Sequence, residues 1–164
     1  MRVSKRVESA RVLNHGSGRL FVLAVLGLVV GLSGTASART WSVPGDVATI
    51  KAAVEDSAAY GDTVLVYPAV YDTASGEAFP IVMADGVVLI STGGPEVTIV
   101  DAGLTGRVFD CINLDATTVV SGITITGGTE TEGGGIYCVD SDLEVRGNII
   151  VGNIASDLTA HGGG

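Results

Sequence analysis

Past its first 38 residues the chain has almost no positive charge. Arg39, Lys51, Arg107 and Arg146 are the only basic residues between Arg39 and Gly164, against seventeen acids, which leaves that stretch at −13. Affinity for nucleic acid rests on cations that neutralise phosphates, and affinity for anionic lipid follows the same rule. Neither a nucleic acid nor a membrane surface is therefore expected as a partner. Histidine is almost as scarce. His15 lies in the basic N-terminal stretch and His161 in the last loop, so neither offers a general base held against a reacting group. There are two cysteines, Cys111 and Cys138, too few for a disulfide scaffold. An oxidising compartment permits a bridge between them without requiring one. Aromatic side chains make up 5% of the chain. Of these, Trp41 and Tyr71 fall where a terminal cap needs its apolar underside covered.

What the chain does have is glycine, valine and isoleucine in a returning order. Val120, Gly122, Ile125 and Gly127 fall on Val145, Gly147, Ile150 and Gly152, each 25 positions on, and Cys111 falls on Cys138 at 27. Between these blocks the loops vary in length ("TETE", Thr129–Glu132; "IASDLTAH", Ile154–His161). Self-similarity at such a period is the signature of a solenoid. Short β-rich runs carry the repeat: "TVLVY" from Thr63, "PIVM" from Pro80, "VVLIS" from Val87, "VTIVD" from Val97, "RVFDCINL" from Arg107, "TVVSGITIT" from Thr118, "GIYCV" from Gly135 and "LEVRGNIIV" from Leu143. β-Branched residues suit stacked walls, while Gly and Asn suit corners that need positive φ. The expected fold is all-β: a right-handed parallel β-helix of roughly four coils. Gly127, Gly152 and Asn153 are expected at its corners, with Asn148 and Asn153 bonding the backbone of their own turns. Cys111 and Cys138 are expected on adjacent coils as buried, reduced thiols.

The ends divide from this body. Residues 1–38 combine five basic residues, an apolar run from Leu20 to Gly34 and a small-x-small site at Ala36-Ser37-Ala38, which reads as an export leader cleaved after Ala38. The run is shorter than a spanning helix needs, so no membrane insertion is expected once it is removed. Residues 39–62 are expected to form an N-terminal segment with a capping helix. Val47, Ile50, Ala53, Val54 and Ala58 recur at helical spacing there, and Gly61 stands where a C-terminal cap belongs. Residues 63–164 would be the coils, and "HGGG" at the end matches the start of a further coil, so the expected partner there is more of the same, longer chain.

"WSVPGDVATIKAAVEDSAAYGDTVLVYPAVY" (Trp41–Tyr71) resembles the opening of exported proteins of the pectin-lyase-like family. Thr49-Ile50, Gly61-Asp62-Thr63-Val64, Val66, Pro68 and Tyr71 match, and Ala69 departs from the usual glycine. "GGGI" (Gly133–Ile136) and "IVGN" (Ile150–Asn153) are similar to the short repeats of chlamydial polymorphic outer-membrane proteins, with isoleucine in place of phenylalanine. The resemblance implies a right-handed parallel β-helix that is secreted or displayed on the outer cell surface. It implies no particular activity, since one solenoid hosts many functions. The catalytic patterns of polygalacturonases, pectate lyases and pectin methylesterases are missing. Three readings stay open: an adhesive or polysaccharide-binding surface protein; a lyase or hydrolase whose site lies in later coils; and a structural spacer. No cofactor is expected, with one candidate exception. Asp140, Asp142 and Glu144 alternate, so in an extended run they would share one face, near Glu130 and Glu132, and offer oxygen ligands to calcium.

Overall fold

A computed structural model describes residues 37–156, all within a compact unit that begins at Ala36. The strands, in chain order, are β1 (Thr40–Val43), β2 (Thr63–Val66), β3 (Ala69–Tyr71), β4 (Ile81–Val82), β5 (Val88–Ser91), β6 (Thr98–Asp101) and β7 (Phe109–Ile112). They continue with β8 (Val119–Ser121), β9 (Thr124–Thr126), β10 (Thr129–Glu130), β11 (Ile136–Val139), β12 (Glu144–Arg146), β13 (Ile149–Ile150) and β14 (Ile154–Ala155). One wall is β1-β2-β5-β8-β12, a second is β3-β6-β9-β13 and a third is β4-β7-β11, with β10 and β14 forming a short ladder of their own. Every pairing is parallel. The chain thus visits the walls in rotation, as a right-handed parallel β-solenoid of about five turns rather than four.

The letter repeat is the strand register. Val145 lies opposite Val120, Ile150 opposite Ile125 and Cys138 opposite Cys111. Inward positions therefore stack like on like: Val64, Leu89 and Val120 along the first wall, Tyr71, Val100 and Ile125 along the second, Ile81 and Phe109 along the third, all buried. Each fully buried aliphatic or phenyl side chain contributes about 1.5–3 kcal/mol, and stacking lets three-residue strands share one core. The two longest β-rich runs break in the middle. Gly122 (φ 72) separates β8 from β9 and Gly147 (φ 61) separates β12 from β13, which turns the chain from the first wall to the second. Gly127 and Gly152 make the next corner at φ 66 and 69.

The coils start earlier than residue 63, because β1 already pairs with β2 from Thr40 to Thr63 onwards. "TWSV" is too short and too far from the repeat to show this in sequence. After β1 the helical segment replaces the other two walls. It is a single wide turn, Ala52–Ser57, closed by the Ala58 N–H on the Ala53 carbonyl at 2.8 Å. Ile50, Ala53 and Val54 are buried as the spacing predicts, but the segment stops at Ala58, which is extended, and not at Gly61. Gly61 instead takes φ 90 in the turn that leads into β2. The capping role holds in atomic terms. Glu55 accepts the Val82 N–H at 2.7 Å, and Lys51 Nζ donates to the Pro80 carbonyl at 2.6 Å, so the outer edge of β4 is occupied. Unpaired edges invite further strands, and this one is blocked by side chains. Buried Glu77 holds the start of the turn by accepting the Ile50 and Lys51 N–H groups at 2.7 and 3.1 Å.

Candidate functional site

The corner that leads into the first wall carries an exposed cluster of aromatic, acidic and hydroxyl side chains. Residues 59–62, 84–87 and 115–118 pass it on successive turns. Gly61 and Gly86 occupy equivalent places, tied by the Gly61 N–H to the Gly86 carbonyl at 3.0 Å. Tyr60 projects over the next turn and lies flat on Gly86: a Cβ there would sit 2.3 Å from ring atom Cδ2. Gly86 is also at φ 69, so both its backbone and its missing side chain serve this contact. The Tyr60 hydroxyl donates to Asp115 Oδ2 at 2.9 Å, and the Thr117 hydroxyl, which donates to Asp115 Oδ1 at 2.5 Å, has its oxygen 3.3 Å from that of Tyr60. Asp85 Oδ1 accepts the Asp115 N–H at 2.8 Å. Hydrogen bonds from Thr117, side chain first and then backbone, with a further one from Tyr60, hold the Asp115 carboxyl below its usual range. The result is a tyrosine 61% exposed yet held across three turns, flanked by two carboxylates and a hydroxyl.

Tyr67 is also exposed, at 46%, whereas Trp41, Tyr71 and Tyr137 are engaged. Arg39 lies over the Trp41 ring at 3.7 Å and Arg107 over Tyr137 at 4.1 Å. Arg107 also pairs with Asp110 and donates to the Gly133 and Glu132 carbonyls at 2.9 and 2.7 Å. The Tyr71 hydroxyl is buried between the carbonyls of Val43 and Tyr67, and burial, then the charge of Glu77, pushes its pKa up to about 12. Tyr71 lies in the core and Trp41 packs against it.

The residues singled out in sequence fare unevenly. Cys111 and Cys138 are neighbours and both are free, but only Cys111 is buried; Cys138 is exposed on the last described turn. The buried Cys111 S–H serves the Cys138 sulfur, which raises the Cys111 pKa and lowers that of Cys138 to about 7. Asp140, Asp142 and Glu144 do not form one extended face. Asp140 turns into the left-handed region at φ 48, and Glu144 pairs with Arg146 at 3.4 Å. Among the described residues no three acidic, histidine or cysteine side chains are grouped to hold a metal ion. Asn148 and Asn153 serve the preceding coil more than their own. Asn148 accepts the Ile123 N–H at 2.9 Å and donates to the Val120 carbonyl at 2.8 Å. Asn153 accepts the Gly128 N–H at 2.8 Å, donates to the Ile125 carbonyl at 2.9 Å, and reaches the Val151 carbonyl of its own turn only at 3.3 Å. Each asparagine is a staple between turns. Residues 1–36 of the expected leader, including its apolar run, and His15 and His161 lie outside the described residues. Among the described residues no helix is long and apolar enough to cross a membrane.

Sequence reasoning alone does not single out the Tyr60 corner. Its signal is present all the same: Gly61 and Gly86 are 25 apart, the repeat spacing, which places Tyr60 beside the next turn's glycine.

Such a coil of stacked, capped turns defines the class as a parallel β-solenoid. Within that class the chain belongs to the family described as "Protein of unknown function (DUF1565)", which matches residues 40–161. Neither the curated proteins nor the solved structures provide a match.

Proposed function

We propose that the solenoid is an exported or surface-displayed binding wall for neutral polysaccharide, with the Tyr60 corner as its contact point. The observation that carries this reading is the exposed ring of Tyr60, immobilised before any ligand arrives. Sugar rings stack on aromatic faces, and a side chain already held in one rotamer loses little entropy on binding. Asp85, Asp115 and Thr117 stand around the ring as acceptors and a hydroxyl for sugar O–H groups. The negative charge of the chain disfavours polyuronates, so a neutral glycan fits better. The resemblance of Trp41–Tyr71 to pectin-lyase-like openings supports the same reading, as do the leader-like first 38 residues for export.

The test is a glycan array probed with the purified protein and with Tyr60→Ala. Tyr60 lies outside the core, so the variant keeps its fold, which circular dichroism checks. Binding of a neutral glycan that falls at least tenfold in the variant supports the reading. Absence of glycan binding, or equal binding by both proteins, refutes it.

A further inference from the structure

Asp62, just before β2, is 6% exposed and has no ion-pair partner among the described residues. Its carboxylate is held by three N–H groups: Arg39 backbone to Oδ1 at 2.7 Å, Ala59 backbone to Oδ2 at 3.0 Å and Trp41 Nε1 to Oδ2 at 3.1 Å. The Ala59 and Arg39 N–H groups, then Trp41, hold its pKa below the usual carboxylate value. The Arg39 guanidinium stacks on Trp41 and makes no hydrogen bond to this carboxylate. The Arg39 charge reaches this carboxylate only through space, as the least of the influences on it, so a nearly buried charge is held mainly by N–H dipoles and has no bonded counter-ion, an arrangement that burial makes costly. The shortest of its bonds comes from the backbone nitrogen of the residue immediately after Ala36-Ser37-Ala38. Ser37 and Ala38 themselves are exposed. The ordered pairing begins at Arg39, whose carbonyl accepts the Thr63 N–H at 2.8 Å.

We propose that the Ala38–Arg39 bond is a processing site and that Asp62 is the receptor for the α-ammonium group that processing creates. Hydrolysis by a leader peptidase adds the hydroxyl of water to the Ala38 carbonyl carbon and its proton to the Arg39 nitrogen. That nitrogen takes a second proton from solvent and becomes –NH3⁺ at the position where a neutral N–H now meets Asp62. A dipole contact becomes a charge-assisted one, and Asp62 gains a directly bonded counter-ion where the Arg39 guanidinium acts only through space. The start of β1, already paired in the uncleaved chain, is then held more strongly in the cleaved form. The proposal rests on the export reading above, but not on any glycan.

The pH signature comes from the groups that face the amine: Asp62, Asp46 (which Arg39 also attracts) and the Arg39 guanidinium. The carboxylates outnumber the guanidinium, and Asp62 is in contact. An α-amine ordinarily titrates near 7.7–8.0, and an adjacent carboxylate raises that value. The ion pair therefore contributes fully below about pH 7.7 and is lost as pH climbs through the raised value.

The full chain is expressed in an exporting host, and the mature protein is purified. Its intact mass and N-terminal sequence are expected to give Arg39 as the first residue. Competitive acylation of the α-amine across pH, read by mass spectrometry of the N-terminal peptide, then compares the native protein with the same protein in urea. At pH 6.5, below both values, the native amine is expected to react about tenfold more slowly, one pKa unit's worth, and Asp62→Asn removes that difference. If Asp62→Asn fails to fold, the native-against-urea comparison decides alone. A first residue other than Arg39, or an intact leader, overturns the proposal together with the cleavage site. Arg39 as first residue with an amine that titrates alike in both states overturns the capture while leaving export standing.

Discussion

Gly61→Ala and Gly86→Ala separate what the fold needs from what the Tyr60 corner needs. Both glycines occupy the same place on successive turns and both are left-handed, at φ 90 and 69. An alanine pays about 1–2 kcal/mol for such a conformation. At Gly61 nothing lies within 4 Å of the added methyl, so conformational strain is the whole cost. At Gly86 the methyl would meet Tyr60 at 2.3 Å (Cδ2), 2.6 Å (Cε2) and 2.7 Å (Cγ). Because Cγ is among them, the ring must swing about χ1 and cannot merely tilt. It then gives up the 2.9 Å bond to Asp115, an exposed contact of about 0.5–1 kcal/mol, together with its packing on the backbone. Urea denaturation should therefore show Gly61→Ala down by about 1–2 kcal/mol and Gly86→Ala by about 2–3 kcal/mol. Glycan binding should fall with Gly86→Ala alone. Equal stability losses in both variants, with binding unchanged in Gly86→Ala, would refute the seating of Tyr60 on this glycine.

Asn148→Ala removes two bonds to the preceding turn and leaves the Ile123 N–H and Val120 carbonyl without that partner, so urea denaturation should show a loss of about 1–3 kcal/mol. Alkylation with iodoacetamide in the native protein should modify one thiol, Cys138, with a rate that rises through about pH 7, while Cys111 reacts only after unfolding; peptide mapping reads both.

The fold is legible in the sequence because stacking makes the letters repeat. An inward Val120 needs an inward Val145 above it, and a corner at Gly122 needs another at Gly147, so letters and register coincide. The strand β1 is not legible. Its partner lies one turn on, but the connection runs through the helical segment, and Thr40–Val43 shares only its first and last letters with β2, Thr40 beside Thr63 and Val43 beside Val66. Asn148 and Asn153 sit at corners, as their sequence positions imply, yet they bond the neighbouring turn rather than their own. A single sequence shows where an amide sits along the chain but not that the coil beneath offers it an unpaired N–H and carbonyl. The acidic run fails for a local reason: alternation implies one face only if the backbone stays extended, and Asp140 turns at the end of β11. The repeat places Cys138 in the core because its partner Cys111 is there. Its exposure comes from its place on the outermost described turn, beside a 540 Å³ hollow bounded by Ile136, Val145 and Ile150.

The account depends on successive turns pairing in parallel, and one distance tests that directly. Val70, Ile99, Thr124 and Ile149 stand in one outward column on the second wall, three strand spacings from end to end. Spin labels at Val70→Cys and Ile149→Cys, in a protein with Cys111 and Cys138 replaced by alanine, should lie about 14 Å apart at the backbone and show strong dipolar broadening. Spectra that equal the sum of the two singly labelled proteins would place these residues far from one column and contradict the solenoid.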